Sequence, residues 1–332
     1  MSTNWKISST PPHDFTLCLD IDSYFDYEHN PESIFPEGFT RTLPLQNRDI
    51  LVTVDFNGDP EDPEFSVKTE ENLSDDEINE ATNFLKRILG TDLDLKPLYD
   101  QAGSDPVLAP LFDEFYGLKR ISRANFFEDA VNRIIRMQIK HKPTARRMVH
   151  DFRAAYAPRF DHKGQTIPGW PRPERIAGGD PDKMKQYGLS RRKGEYIVEL
   201  AELFTGGSIT HDQLESLPPY DFYEIVTGIR GIGPIAAQDL MLFRNRSDGV
   251  FPGYWQKGME KGLRRWIILS YGGDPETMPE YDFQESIRHW KGSGSSHRRM
   301  THGRGGGPPT VSLPTGSSCR RVTAGVAPRR SG

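Results

Sequence analysis

The 332-residue chain predicts an α+β protein: a small β-rich unit, then a longer and mostly α-helical one, then a basic tail. Three observations carry that expectation. Runs of branched and aromatic residues cluster before residue 70, apolar residues recur at helical spacing from Leu95 to about Trp290, and all periodicity stops after Lys291. The expected boundaries are 1–93, 94–290 and 291–332.

In the first unit, Phe15–Leu19 and Ile50–Phe56 have strand composition, and Phe65–Lys68 is a weaker third strand. Gly58, Pro60 and Pro63 supply the turn between the last two. Ser74 followed three residues later by Glu77 is a capping box. The helix it opens carries Ile78, Ala81, Phe84, Leu85 and Ile88 on one face and stops at Gly90.

In the second unit, helical spacing is clear at Val131, Ile134, Ile135 and Ile139, at Ile197, Leu200, Leu203 and Phe204, and at Phe222, Ile225 and Val226. Pro168-Gly169-Trp170-Pro171, Gly178-Gly179 and Gly206-Gly207 break these helices apart. Gly, Ser, Arg, Pro and Thr dominate the stretch after Lys291, which has no Asp or Glu. Such a basic low-complexity tail buries too little apolar surface to offset its ordering entropy, so disorder is expected there.

Composition narrows the classes. No run of about 18 apolar residues is present, so no membrane span is expected. No charged start leads into an apolar stretch, which argues against secretion and for a cytoplasmic protein. Cys18 and Cys319 are too few for a disulfide framework or an iron–sulfur cluster, and neither metal nor cofactor is expected. The net charge of −5 conceals an asymmetry: residues 1–100 hold 7 basic and 22 acidic side chains, whereas residues 119–193 hold 19 basic and 7 acidic. One basic face meeting a polyanion is the expected use of that contrast. A solvated charged surface is the plainer alternative.

The most informative run is Thr227–Phe243. Gly231-Ile232-Gly233 makes a corner too tight for side chains, and Pro234 suits the first turn of a following helix. N–H groups of Gly231, Ile232, Gly233, Ile235 and Ala236 would then face an anion such as a DNA phosphate. A corner that merely packs two helices is the alternative.

This run resembles the helix–hairpin–helix of the HhH-GPD DNA glycosylase superfamily. Phe126–Val131 leading into Ile134–Ile139, Pro173–Ala177 and Tyr187–Lys193 are similar, in order and spacing, to three further stations of its 3-methyladenine-DNA glycosylase II branch. Together they span roughly Asp94 to Trp290. The resemblance implies two helical lobes around a cleft, preceded and buttressed by a small antiparallel sheet. It also implies a monomer that binds double-stranded DNA, everts a damaged nucleotide and hydrolyses its N-glycosidic bond, in a prokaryotic, nucleoid-associated setting. In that branch a motif like Arg288–Gly292 precedes a final aromatic helix. That helix has no counterpart here, so a shifted reading frame is an expected origin of the tail.

Four tasks follow from the resemblance. Phosphate anchoring falls to the corner, with Arg230 beside it. The strand-separating loop begins near Gln138 and includes Lys140, His141 and Lys142, with Arg146 nearby; a plain basic helix end is an equal reading. Arg191, Arg192 and Lys193 either touch the strand or remain solvated. Tyr254 and Trp255 fall where a base pocket belongs, with Tyr116 and Trp170 as weaker aromatics, and packing as the better use of Trp170. Ile235 departs from the resemblance, standing where a glycosylase II enzyme carries an aromatic. The fourth task needs an Asp about twenty residues past the second hairpin glycine, but that slot falls on Gly253, Tyr254 or Trp255. Asp239, Asp248 and Glu260 are substitutes that ordinary surface placement would equally explain. With no Lys in Gly231–Ala237, a Schiff-base lyase step is not expected. A DNA-binding member of the fold that has lost its acid is the alternative function, and a helical interaction module a more distant one.

Overall fold

A computed structural model describes residues 2–21, 34–35, 38–244 and 262–288, which fall in one compact unit, Met1–Ser295. The tail 291–332, together with the frame question it raises, lies outside the described residues.

Five antiparallel strands form the N-terminal sheet: β1 (Thr3–Ser8), β2 (Ile34–Phe35), β3 (Gly38–Pro44), β4 (Asp49–Phe56) and β5 (Glu64–Thr69), in the order β1-β5-β4-β3-β2. In β4 the alternation is complete: Ile50, Val52, Val54 and Phe56 are buried while their neighbours are half-buried. Register follows from it, with Val54 opposite both Val67 and Phe39. β1 alternates Trp5 and Ile7 with exposed Asn4, Lys6 and Ser8, whereas β3 carries no alternation for the sequence to reveal, because it is buried almost throughout and holds an arginine, Arg41, in mid-strand.

The expected strand at Phe15–Leu19 is instead helix α1 (Phe15–Ile21). Asp14 caps it, its Oδ1 accepting the Leu17 N–H at 2.9 Å, so that Phe15 and Cys18 fall on one face and bury in the sheet core. A short apolar run reads equally as strand or helix, and here the cap decides. Helix α2 (Asp75–Leu89) is as expected: Ser74 and Glu77 exchange both bonds of the capping box, and Gly90 ends it in the left-handed conformation, φ 66°.

Two short helices, α3 (Lys96–Ala102) and α4 (Leu108–Glu114), lead to α5 (Phe126–Arg136) and α6 (Lys142–Tyr156). An unforeseen hairpin of β6 (Arg159–His162) and β7 (Gln165–Pro168) precedes the Pro-Gly-Trp-Pro break. Its turn uses left-handed Lys163 and Gly164. Helices α7 (Arg191–Thr205), α8 (His211–Ser216), α9 (Pro219–Thr227) and α10 (Pro234–Leu242) pack with α5 and α6 around a second core that includes Phe127, Val131, Ile135, Ile197, Leu200, Phe222 and Leu240. Helices α11 (Gly262–Ser270) and α12 (Glu280–Ser286) bury Ile267, Ile268, Phe283 and Ile287 in a third, smaller cluster. No described helix is long and apolar enough to cross a membrane.

The sheet meets the helical core through charge. Arg41 Nη2 lies 2.9 Å from Glu128 Oε2, with both side chains almost wholly buried. Arg87 on α2 reaches Asp129 and Glu215, each at 3.0 Å, and Arg123 lies 3.4 Å from Asp129. Glu128 and Asp129 form the first turn of α5, so the sheet side grips that helix at its N-terminus.

Two histidines make the fold sensitive to acid. His13 is completely buried among Phe15, Phe56 and Phe65, with Nδ1 2.8 Å from Ser9 Oγ. Burial first, and then the Lys119 ammonium, lower its pKa to about 3. Burial first, then Arg87, lower that of His211 to about 4. Both values lie below the unfolded imidazole value of about 6.5, so the unfolded chain binds the extra protons. The stability contribution is complete above that value and is lost as pH falls, toward 3 for His13 and toward 4 for His211. Each histidine is expected to cost about 1.4 kcal/mol per pH unit across this window. Thermal denaturation at pH 7, 6 and 5 checks this; an unchanged Tm across that range refutes it.

Candidate nucleic-acid interface

The corner between α9 and α10 is built by two glycines with different duties. Gly231 has φ 94°, and a Cβ there would lie 2.5 Å from the Tyr196 ring. The turn therefore needs glycine both for its left-handed backbone and for its seat on Tyr196. Gly233, the N-cap of α10, has an extended conformation and open space where a Cβ would point. Between them Ile232 turns inward and is buried, anchoring the corner in the helical core.

Gly233, Pro234 and Ile235 are exposed, Ile235 by 53%. The first intrahelical bond runs from Ala237 N–H to Gly233 O at 2.9 Å. N–H groups at Ile235 and Ala236 precede any carbonyl they can reach within the helix, so they point out of its positive end. The expected donor Ile232 requires a correction: its N–H already bonds Ile229 O at 3.0 Å. Its role is to anchor the turn. Arg230 is likewise committed, to Glu195 at 3.1 Å and to Glu199, and its guanidinium lies 5.3 Å from the Tyr196 ring centroid.

The second loop leaves α5 at Met137. Gln138 has φ 64°, uncommon for a residue with a side chain, and is exposed together with Lys140, His141 and Lys142. His141 caps α6, with Nδ1 3.4 Å from Thr144 N and 2.8 Å from its hydroxyl. Lys193 holds the start of this loop, its Nζ donating to Ile135 O at 2.8 Å and to Met137 O at 2.7 Å. As the ammonium is half-buried, burial lowers its pKa. The basic triplet thus divides: Arg191 pairs with Asp182 and Glu195, Arg192 donates to the Tyr196 hydroxyl, and Lys193 clamps backbone. The clamp and the Tyr196 seat escape sequence reasoning, because a lysine in a basic run reads as surface until its partners are placed.

Of the expected carboxylates, Asp239 is described. It lies one turn into α10 and pairs with Arg133 of α5 at 2.8 Å. Burial raises its pKa, opposed by Arg133, Arg120 and Arg136. Asp248 and Glu260, the slot Gly253–Trp255 and the pocket aromatics Tyr254 and Trp255 lie outside the described residues. Trp170 is buried beneath Arg153, whose guanidinium is 5.0 Å from its ring centroid, in keeping with a packing use. Tyr116 stacks on Tyr99 at 5.4 Å. Among the described residues no group of three or more His, Cys, Asp or Glu side chains is placed to hold a metal ion.

The fold is that of the helix–hairpin–helix DNA glycosylases. A 3-methyladenine DNA-glycosylase from Archaeoglobus fulgidus superposes with a TM-score of 0.65 at 21% identity, covering 86% of this chain and 92% of that one. An 8-oxoguanine glycosylase/lyase from Clostridium acetobutylicum, bound to double-stranded DNA, gives 0.59 at 15% identity, over 87% and 91%. Sequence relatives narrow the likeness to proteins named DNA-3-methyladenine glycosylase. One, from Bacillus subtilis (strain 168), is 28% identical over 173 residues, 52% of this chain and 57% of its own length. The putative DNA-3-methyladenine glycosylase YfjP of the same strain is 24% identical over 80% of this chain and 88% of the relative. No protein-family model matches.

Proposed function

We propose that the chain is a monofunctional DNA glycosylase of the 3-methyladenine-DNA glycosylase II branch, acting as a monomer on alkylated bases in duplex DNA, in the cytoplasm. The observation that carries this reading is the start of α10, where the N–H groups of Ile235 and Ala236 have no helical carbonyl to reach and Gly233, Pro234 and Ile235 are exposed; the exposed, left-handed Gln138 loop supports it. The corner offers main-chain donors to a backbone phosphate without reading sequence. Gln138, Lys140 and Lys142 then fill the space vacated by an everted nucleotide, the role that the family resemblance implies for this loop.

The reaction breaks the C1′–N bond, with its electron pair leaving on the base, while water supplies the new C1′–O bond and a carboxylate takes the water proton. Of the described carboxylates, Asp239 projects from the hairpin's own helix, and burial favours its taking up a proton. The test is release of 3-methyladenine or 7-methylguanine from alkylated duplex DNA. Release above a buffer control, without strand scission, is the expected result. No release from soluble, folded protein rejects the reading.

The missing acid at Gly253–Trp255 favours a second reading, a DNA-binding protein without catalysis. Under it the native chain is inert and Tyr254→Asp gains base release; an active native chain that this substitution leaves unchanged excludes it. A purely packing role for the corner fails if duplex binding weakens steeply with salt.

A further inference from the structure

We propose that Lys193 is a positioning residue for the strand-inserting loop, acting through the carbonyls of Ile135 and Met137; this rests on the glycosylase reading above. The end of α5 leaves carbonyls without helical partners. Ile135 O and Met137 O converge on one ammonium, at 2.8 Å and 2.7 Å, where a cation also complements the helix dipole. The next residue, Gln138, adopts a left-handed backbone that is strained for a residue with a side chain and persists only where its surroundings impose it.

The same helix holds the phosphate corner. Tyr196 lies three residues beyond Lys193, about 4.5 Å along the axis, and Gly231 sits directly on its ring. The Ser190 hydroxyl caps this end of α7 by accepting the Lys193 N–H at 3.3 Å, so the segment is fixed at its root. Loop and corner are thereby referenced to a single turn of α7. Eversion requires the phosphate grip and the inserted residue to act at a fixed separation, and misplacement by about 1 Å can cost two orders of magnitude in rate.

The test compares Lys193→Met and Lys193→Arg with the native chain on intact duplex and on duplex carrying a tetrahydrofuran abasic analogue. Intact-duplex affinity of Lys193→Met is expected to stay within threefold of native, because the corner remains. Its preference for abasic over intact duplex should fall at least tenfold, and Lys193→Arg should restore most of it. Equal losses on both duplexes would make Lys193 a phosphate contact and overturn the proposal. An unchanged preference, or an arginine variant as poor as methionine, would also overturn it. Amide exchange at Gln138–Lys140 in DNA-free protein is expected to quicken at least tenfold in Lys193→Met; unchanged exchange refutes the clamp. If the native chain shows no abasic preference, the glycosylase reading fails, while the exchange measurement still decides whether Lys193 holds the loop.

Discussion

Arg41→Met is expected to lower stability by about 3–5 kcal/mol, the cost of leaving one member of a buried ion pair without its counter-charge. Glu128 would then keep its carboxylate in a site from which water is excluded, with the Ala124 N–H, at 3.3 Å, among its remaining partners. Replacing both, Arg41→Met with Glu128→Leu, should recover much of the loss, since apolar residues of similar volume often substitute for a buried pair. Urea denaturation of the single and double variants checks this. A single variant within 1 kcal/mol of native would show that the pair contributes little. The same substitution should loosen the N-terminal end of α5, the helix whose other end carries Gln138.

Gly231→Val is expected to reduce duplex affinity at least tenfold. A branched side chain in a left-handed conformation costs about 1–2 kcal/mol or more, and its Cβ would collide with Tyr196. The corner must then shift, carrying its amides with it. Gly233→Ala supplies the contrast. Its backbone is extended and its surroundings are open, so stability should change by less than about 1 kcal/mol, while the added methyl intrudes where a phosphate would sit. Fluorescence anisotropy with duplex DNA, beside urea denaturation, separates the two. Native affinity in both variants would remove the corner from the interface.

Local rules made much of this legible from sequence. The Ser74–Glu77 box, the Gly90 stop and the alternation of Ile50–Phe56 each depend on residues within a few positions, and each stands as read. Phe15–Leu19 reads as a strand because so short a run, apolar but for Thr16, fits either period, and Asp14, one residue before it, makes it a helix. The strand Gly38–Pro44 stayed hidden because Arg41 reads as solvent-facing until Glu128, far along the chain, arrives beside it. The site divides similarly. A glycine corner is written in four consecutive residues, whereas the assignment of Lys193 to two carbonyls and of Tyr196 to a glycine is a long-range outcome. The bond of the Ile232 N–H to the Ile229 carbonyl belongs to the same category, since only the folded turn brings the two together.

The shared mount on α7 has a practical corollary for engineering. Grafting a hairpin from another protein onto this scaffold would fail if the donor segment were cut at its own ends, because residue 231 is shaped to the ring at 196. A working transplant must import the matching turn of the helix at 190–196, and with it a replacement for the lysine that disciplines the distant loop. Recombination between relatives would meet the same constraint: crossovers separating 196 from 231 should be depleted among functional chimaeras.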